Sequence, residues 1–260
     1  KPPLFYWLLA GMFSITGAPF EWAARLVSLI PASLFLGAHY IFLRRSGLAF
    51  STALFSAVVL GTNFAFFTSS VEAEIDMTFV VLCATSMHFG FLSTHAKHQA
   101  LCVLSCWFFA ALAFLTKGPP ALVFLGLGLG LFILIHTWKH PASSRLSYFM
   151  RQAWPHLLGA ILFACLIAAW IFLLQKQLAL ADLRLYFEQE ILQRFHADPL
   201  AIKRSRGFLF YFLFLAGSLM PWSLLVAGYF TRAPGRTATA TDEVWRFMIF
   251  CLCATLPAIL

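Results

Sequence analysis

Glu72, Glu74 and Asp76 fall at alternating positions in Ser69-Ser-Val-Glu-Ala-Glu-Ile-Asp-Met-Thr-Phe-Val-Val, directly before an apolar run of about a membrane's length. Charges at the mouth of a hydrophobic helix are expensive unless they have a partner or a task. The whole sequence has ten acids, so three in one short stretch is a concentration. In an extended lead-in these carboxylates point one way and suit a general base, a divalent cation site or a partner for a lysine. The bland alternative is a solvated loop whose last acid caps the following helix.

Three further groups carry chemistry-bearing residues. Lys117, in Leu115-Thr-Lys-Gly-Pro-Pro120, stands between two apolar runs, either as a snorkelling lysine at a turn or as a cation aimed at a lipid phosphate or the acid patch. Residues 176–206 carry six basic and four acidic side chains. There Glu190 and Arg194 have the spacing of a helical ion pair, and His196 is a candidate acid/base or phosphate donor. Lys1-Pro-Pro-Leu-Phe-Tyr6-Trp reads as an aromatic helix lying at the membrane interface, with Lys1 as its anchor. His39 and His88, inside apolar runs, read as packed and hydrogen-bonded side chains.

Composition fixes what must position these residues. The chain is 61% hydrophobic and 11% charged with 30 Phe, against about 25% charged in soluble domains. A multi-pass, all-α membrane helix bundle follows, arranged as one domain over residues 1–260. Expected spans cover 20–43, 48–68, 76–94, 100–116, 119–136, 155–175 and 207–230, with an eighth from Val244. An interfacial helix occupies 1–16 and a long outer loop 176–206. The absence of an initiator Met and an end inside an apolar run read as truncation on both sides.

The six cysteines lie in apolar runs and read as small buried hydrophobes, without the partners a zinc site needs. No cofactor is certain from the sequence, a divalent cation is the one candidate, and no metal ligand set is assigned. The Gly126-Leu-Gly-Leu-Gly130 run lies in a span with no strand before it, so close helix packing explains it better than a nucleotide. Net charge of +8 favours anionic membrane lipid or a lipid-linked anion. No basic stripe or finger spacing points to nucleic acid.

Alternating the spans puts Arg44, Arg45, Lys97, Lys139, Arg145 and Arg151 on one side with the tail Arg232 to Arg246, and that side reads as cytoplasmic. Asp76, Lys117 and the 176–206 loop fall on the other. A non-cytoplasmic loop this basic suggests a use for its cations, and binding a phosphate is the obvious one.

Lys1-Pro-Pro-Leu-Phe-Tyr-Trp-Leu, Glu21-Trp-Ala-Ala-Arg-Leu, Glu74-Ile-Asp-Met, Leu115-Thr-Lys-Gly-Pro, Glu190-Ile-Leu-Gln-Arg-Phe and Met220-Pro-Trp-Ser occur in that order. Together they resemble polyprenyl-phosphate-dependent glycosyltransferases of the GT-C class, in the branch of lipid A aminoarabinose transferases and protein O-mannosyltransferases. The resemblance implies a bacterial inner-membrane enzyme whose active site faces the periplasm. A sugar would pass from undecaprenyl phosphate to a lipid A-like, protein or other acceptor, with inversion at the anomeric carbon. It implies donor-phosphate roles for Lys1, Lys117 and Arg194, with Tyr6 and His196 as looser matches. Asp76, with Glu74 beside it, becomes a cavity carboxylate. The family's leading catalytic acid lies upstream of Lys-Pro-Pro, and its C-terminal region, which bears on the acceptor, follows later. A transporter or flippase of an anionic lipid or ion-coupled solute is the rival reading, and a membrane assembly subunit a third. A transporter, however, places ionisable groups near mid-bilayer, and here the acids gather at one face.

Overall fold

Long apolar runs leave the backbone one way to satisfy its N–H and C=O groups in lipid as single segments, and that is a helix. The computed structural model describes residues 2–17, 19–94, 98–138, 141 and 143–176, together with Glu188, Gly217, Ser218 and Met220. The regular elements among the described residues are all helical. They are α1 (Leu4–Thr16), α2 (Glu21–Arg45), α3 (Phe50–Gly61), α4 (Phe64–Val71), α5 (Ile75–Ser93), α6 (Gln99–Lys117), α7 (Pro120–Leu125), a π-helical turn (Gly126–Gly130), α8 (Leu131–Trp138) and α9 (Arg145–Gln175).

Helices α2, α5, α6 and α9 are long and apolar enough to cross a membrane, and α3 with α4 makes a fifth if the bent pair is one span. They match the expected spans at 20–43, 76–94 and 100–116 to within a few residues. Three others differ. The run 48–68 is broken at Thr62-Asn63 and bends by 60° there. Asn63 explains the restart: its side-chain oxygen accepts the Phe66 N–H at 3.1 Å and caps α4. The run 119–136 is the shorter apolar helix Pro120–Ile135, carried through the π turn. Helix α9 starts ten residues before the expected 155, because Pro155 is accommodated inside it. The span expected at 207–230 lies outside the described residues apart from Gly217, Ser218 and Met220, as does the one from Val244 and the 176–206 loop apart from Lys176 and Glu188.

Side-chain contacts fix the helix directions. Ser28 Oγ on α2 donates to the Glu74 carbonyl (3.1 Å) and Thr78 Oγ1 on α5 donates to the Val27 carbonyl (3.3 Å), so both helices begin at one end. Ser86 Oγ donates to the Cys106 carbonyl at 2.7 Å near the middle of both helices, and Lys117 at the end of α6 meets Asp76 at the start of α5, so α6 runs antiparallel to α5. Phe79 against Phe124 and Phe91 against Phe132 then run 120–135 alongside α5. Trp107 Nε1 donates to His156 Nδ1 at 3.1 Å, and Phe114 meets Phe163, so α9 runs with α6. The chain therefore weaves back and forth across one bundle.

The core lies between α2, α5, α6 and the 120–135 helix, where Phe42, Phe79, Met87, Phe91, Phe124 and Phe132 interlock. Glycines permit its closest approaches. A Cβ on Gly128 would stand 2.8 Å from Met87 Cε, and one on Gly90 at 2.8 Å from Leu129. Within the 126–130 run only Gly128 serves close packing, since a Cβ on Gly126 or Gly130 would meet nothing within 4 Å. Outward-facing apolar side chains such as Leu34 (70% exposed) and Leu101 (66%) are normal on a bundle solvated by lipid. Among the described residues no buried side-chain nitrogen or oxygen lacks a partner, as a low-dielectric interior requires. His39 illustrates this, lying 3.3 Å from His88 Nε2 through Nδ1 and 3.2 Å from Ser56 Oγ through Nε2.

Candidate functional site

Antiparallel pairing of α5 and α6 brings the first turn of one against the last turn of the other. Asp76 lies in the first turn of α5 and Lys117 is the last residue of α6. Each charge thus stands at the helix end whose dipole favours it, an effect of about 0.3–1 kcal/mol apiece. Lys117 Nζ sits 2.8 Å from Asp76 Oδ1, with side chains 36% and 54% exposed. A pair this open contributes about 1 kcal/mol or less to stability. Its significance is chemical: a carboxylate and an ammonium meet where apolar helices end.

The capping alternative for the acid patch does not hold for Asp76. The α5 N-cap is Glu74, which makes no side-chain capping bond, and Asp76 turns to Lys117 instead. Ser28 straps the Glu74 peptide from α2, which fixes the α5 terminus. Glu72 and Glu74 are extended, so these two acids lie on an open lead-in, whereas Asp76 is already in the first turn of α5. Some loss of water, then the Glu72 charge, a hydrogen bond shared with Glu72 and the Asp76 charge raise the Glu74 carboxyl above its usual range; the Lys117 cation opposes this. Because Glu74 is exposed, the neighbouring acids account for more of that rise than burial does. A carboxylate tuned upward is a better proton acceptor near neutral pH.

Lys117 has a second neighbour. Its Nζ lies 5.6 Å from the centroid of the Phe79 ring, three residues along α5 from Asp76 and so on the same face. Gly118 ends α6 with φ +85° and ψ −143°, a conformation that suits glycine, and its N–H bonds to the Phe114 carbonyl at 2.7 Å. Pro119 and Pro120 then open α7. Pro2 packs on Gly118, with Pro2 Cγ 3.8 Å from where a Cβ would stand. Helix α1 thus starts beside the Lys117 turn and ends beside the start of α2, both at the Asp76 end. Tyr6 on α1 is half exposed, edge-to-face with the buried Phe5, and has no hydrogen bond to Asp76 or Lys117.

Of the residues singled out by sequence, the structure brings Asp76, Glu74 and Lys117 together, and Tyr6 lies on α1, the helix that starts beside the Lys117 turn. Lys1, Arg194 and His196 lie outside the described residues. Sequence reasoning missed Ser28, Thr78 and Phe79. The i, i+3 spacing from Asp76 was available for Phe79, but one Phe among thirty in an apolar run carried no signal. No group of three or more His, Cys, Asp or Glu side chains among the described residues is arranged to hold a metal. An open groove of about 390 Å³ at the α3–α4 bend is lined, among the described residues, by Thr62, Phe64, Phe67 and Met220. There the Phe64 N–H bonds to the Met220 carbonyl at 3.0 Å, which ties Met220 to the broken span.

Residues 1–172 match the family model of dolichyl-phosphate-mannose-protein mannosyltransferases. No curated protein matches the chain. Two crystal structures of ArnT from Cupriavidus metallidurans are similar over 98% of this chain. The one bound to undecaprenyl phosphate has a TM-score of 0.74 at 21% identity, and the apo one 0.71 at 23%. At that identity the likeness shows a shared fold. The chain spans 45% and 44% of the two ArnT chains, less than half of each.

Proposed function

The chain belongs to the dolichyl-phosphate-mannose-protein mannosyltransferase family, and from that membership we propose that it works in a membrane glycosyltransferase. In this reading a sugar moves from undecaprenyl (polyprenyl) phosphate to a lipid A-like or other acceptor at the periplasmic face of a bacterial inner membrane. The observation that carries it is the Asp76–Lys117 contact between the first turn of α5 and the last turn of α6. It is supported by the shared fold with a protein crystallised with undecaprenyl phosphate.

The chemistry asks for two things at one depth. The donor is an anionic phosphodiester at headgroup level, so cations must hold it there. Lys117 is one, and Lys1 and Arg194 are its proposed companions, with Tyr6 and His196 in supporting positions. As the acceptor oxygen bonds to the anomeric carbon, the bond from that carbon to the phosphate oxygen breaks. The electron pair leaves on the phosphate, where the same cations stabilise the growing charge. The acceptor hydroxyl's proton passes to a carboxylate, the proposed role of Asp76 with Glu74 beside it. An oriented donor and base at the membrane surface also remove the entropic cost of gathering the reactants.

The test uses full-length protein in vesicles with a labelled sugar on undecaprenyl phosphate or on a nucleotide. The proposal expects label on the acceptor from the lipid donor alone. Translocation of intact donor between leaflets with no bond cleavage would instead make the protein a flippase.

A further inference from the structure

We propose that Phe79 is a positioning residue for the donor phosphate, holding the Lys117 ammonium over its ring while the cation exchanges Asp76 for the incoming anion. This rests on the reading of Lys117 as a phosphate ligand. Three observations meet at this ring. Its face lies 5.6 Å from Lys117 Nζ. It is only 3% exposed and set edge-on to Phe124 of α7 (5.7 Å, 72°), so it is fixed in place by the core. And Asp76, which occupies the same ammonium at 2.8 Å, stands three residues away on the same helix.

The arrangement solves a physical difficulty. A lysine is a flexible four-carbon stem, and its ordering entropy counts against any anion it binds. The ammonium is paired to Asp76 at 2.8 Å, so an arriving phosphate must displace that carboxylate. An aromatic face attracts a cation through its quadrupole whichever anion the cation holds. The Phe79 contact therefore carries more of the hold on the ammonium once Asp76 has let go, keeping Nζ at one depth in the phosphate-bound state while Asp76 is freed to accept a proton. An aliphatic side chain of similar bulk fills the core but gives the ammonium no such seat.

The experiment is the affinity of the full-length protein for undecaprenyl phosphate, measured with Phe79 replaced by mono-, di- and trifluorophenylalanine. Fluorination drains the ring quadrupole with little change of volume, so a purely structural role leaves affinity unmoved. The series is repeated in the Lys117→Met background. We expect Kd to rise stepwise to about three- to tenfold, with melting temperature unchanged, and the series to be flat in Lys117→Met. Equal Kd across the wild-type series overturns the inference, as does an equal trend without the lysine. A wild-type protein that binds undecaprenyl phosphate but transfers no sugar fails the glycosyltransferase reading while the Kd series still decides the role of Phe79. A wild-type protein that binds none overturns both.

Discussion

Asp76 and Lys117 pair because two helix ends of opposite dipole are brought face to face, and the same placement leaves both charges accessible to a substrate. Asp76→Asn should keep the fold and lower sugar transfer by about two orders of magnitude or more, the range of general acid–base assistance; turnover measured at saturating donor checks this. Glu74 makes a prediction in pH. Its folded-state carboxyl is raised by partial loss of water and by its acid neighbours. Such a group contributes stability below the ordinary Glu range and loses it as pH rises through the folded value. Glu74→Gln should therefore raise the melting temperature slightly at pH 7, by no more than about 2 °C for so exposed a site. The gain should vanish on titrating below the ordinary Glu range. A gain that grows toward acid would reverse the sign and contradict the crowding of the three acids. At this scale the sequence was legible in part. The acid patch and Lys117 were visible as expensive charges, and a lysine partner was among the readings. Phe79 was not, because an aromatic whose meaning lies in its distance from another helix looks like any other core Phe.

At the scale of elements, the spans were legible where apolar runs are unbroken and bounded by charge, as in α2, α5 and α6. The α3–α4 break was hidden because Thr62 and Asn63 interrupt the run for two residues only, and the cap depends on a side-chain bond. Asn63→Ala should cost about 1 kcal/mol, read as a lower melting temperature of the solubilised protein. Gly118 is a sharper case. Its φ of +85° with ψ −143° is strained for any side chain, while Pro2 stands at an ordinary contact distance. The cost of Gly118→Ala is thus backbone strain of about 1–3 kcal/mol. Because Lys117 is the preceding residue, donor affinity should fall together with stability. Full donor affinity in a destabilised Gly118→Ala protein would uncouple the turn from the site.

For the whole molecule, the weave of helices places Glu74 and Arg45 at opposite ends of the bundle. A membrane-impermeant maleimide should reach Glu74→Cys from one side of the membrane only and Arg45→Cys from the other. Labelling of both from one side would contradict the path of the chain. Composition alone made the multi-pass class legible, and six short motifs in order pointed to the family that residues 1–172 match. Composition could not yield the depth at which charges meet, since that depends on the antiparallel register of α5 and α6. The central claim is that the Lys117 ammonium holds a lipid-linked donor phosphate opposite Asp76. Its most direct test is kcat/KM for a labelled undecaprenyl-phosphate sugar, compared between the full-length protein and its Lys117→Ala variant. Loss of a charge-assisted contact of about 1.5–3 kcal/mol predicts a fall of about ten- to a hundredfold, whereas a value within twofold of wild type would contradict the account.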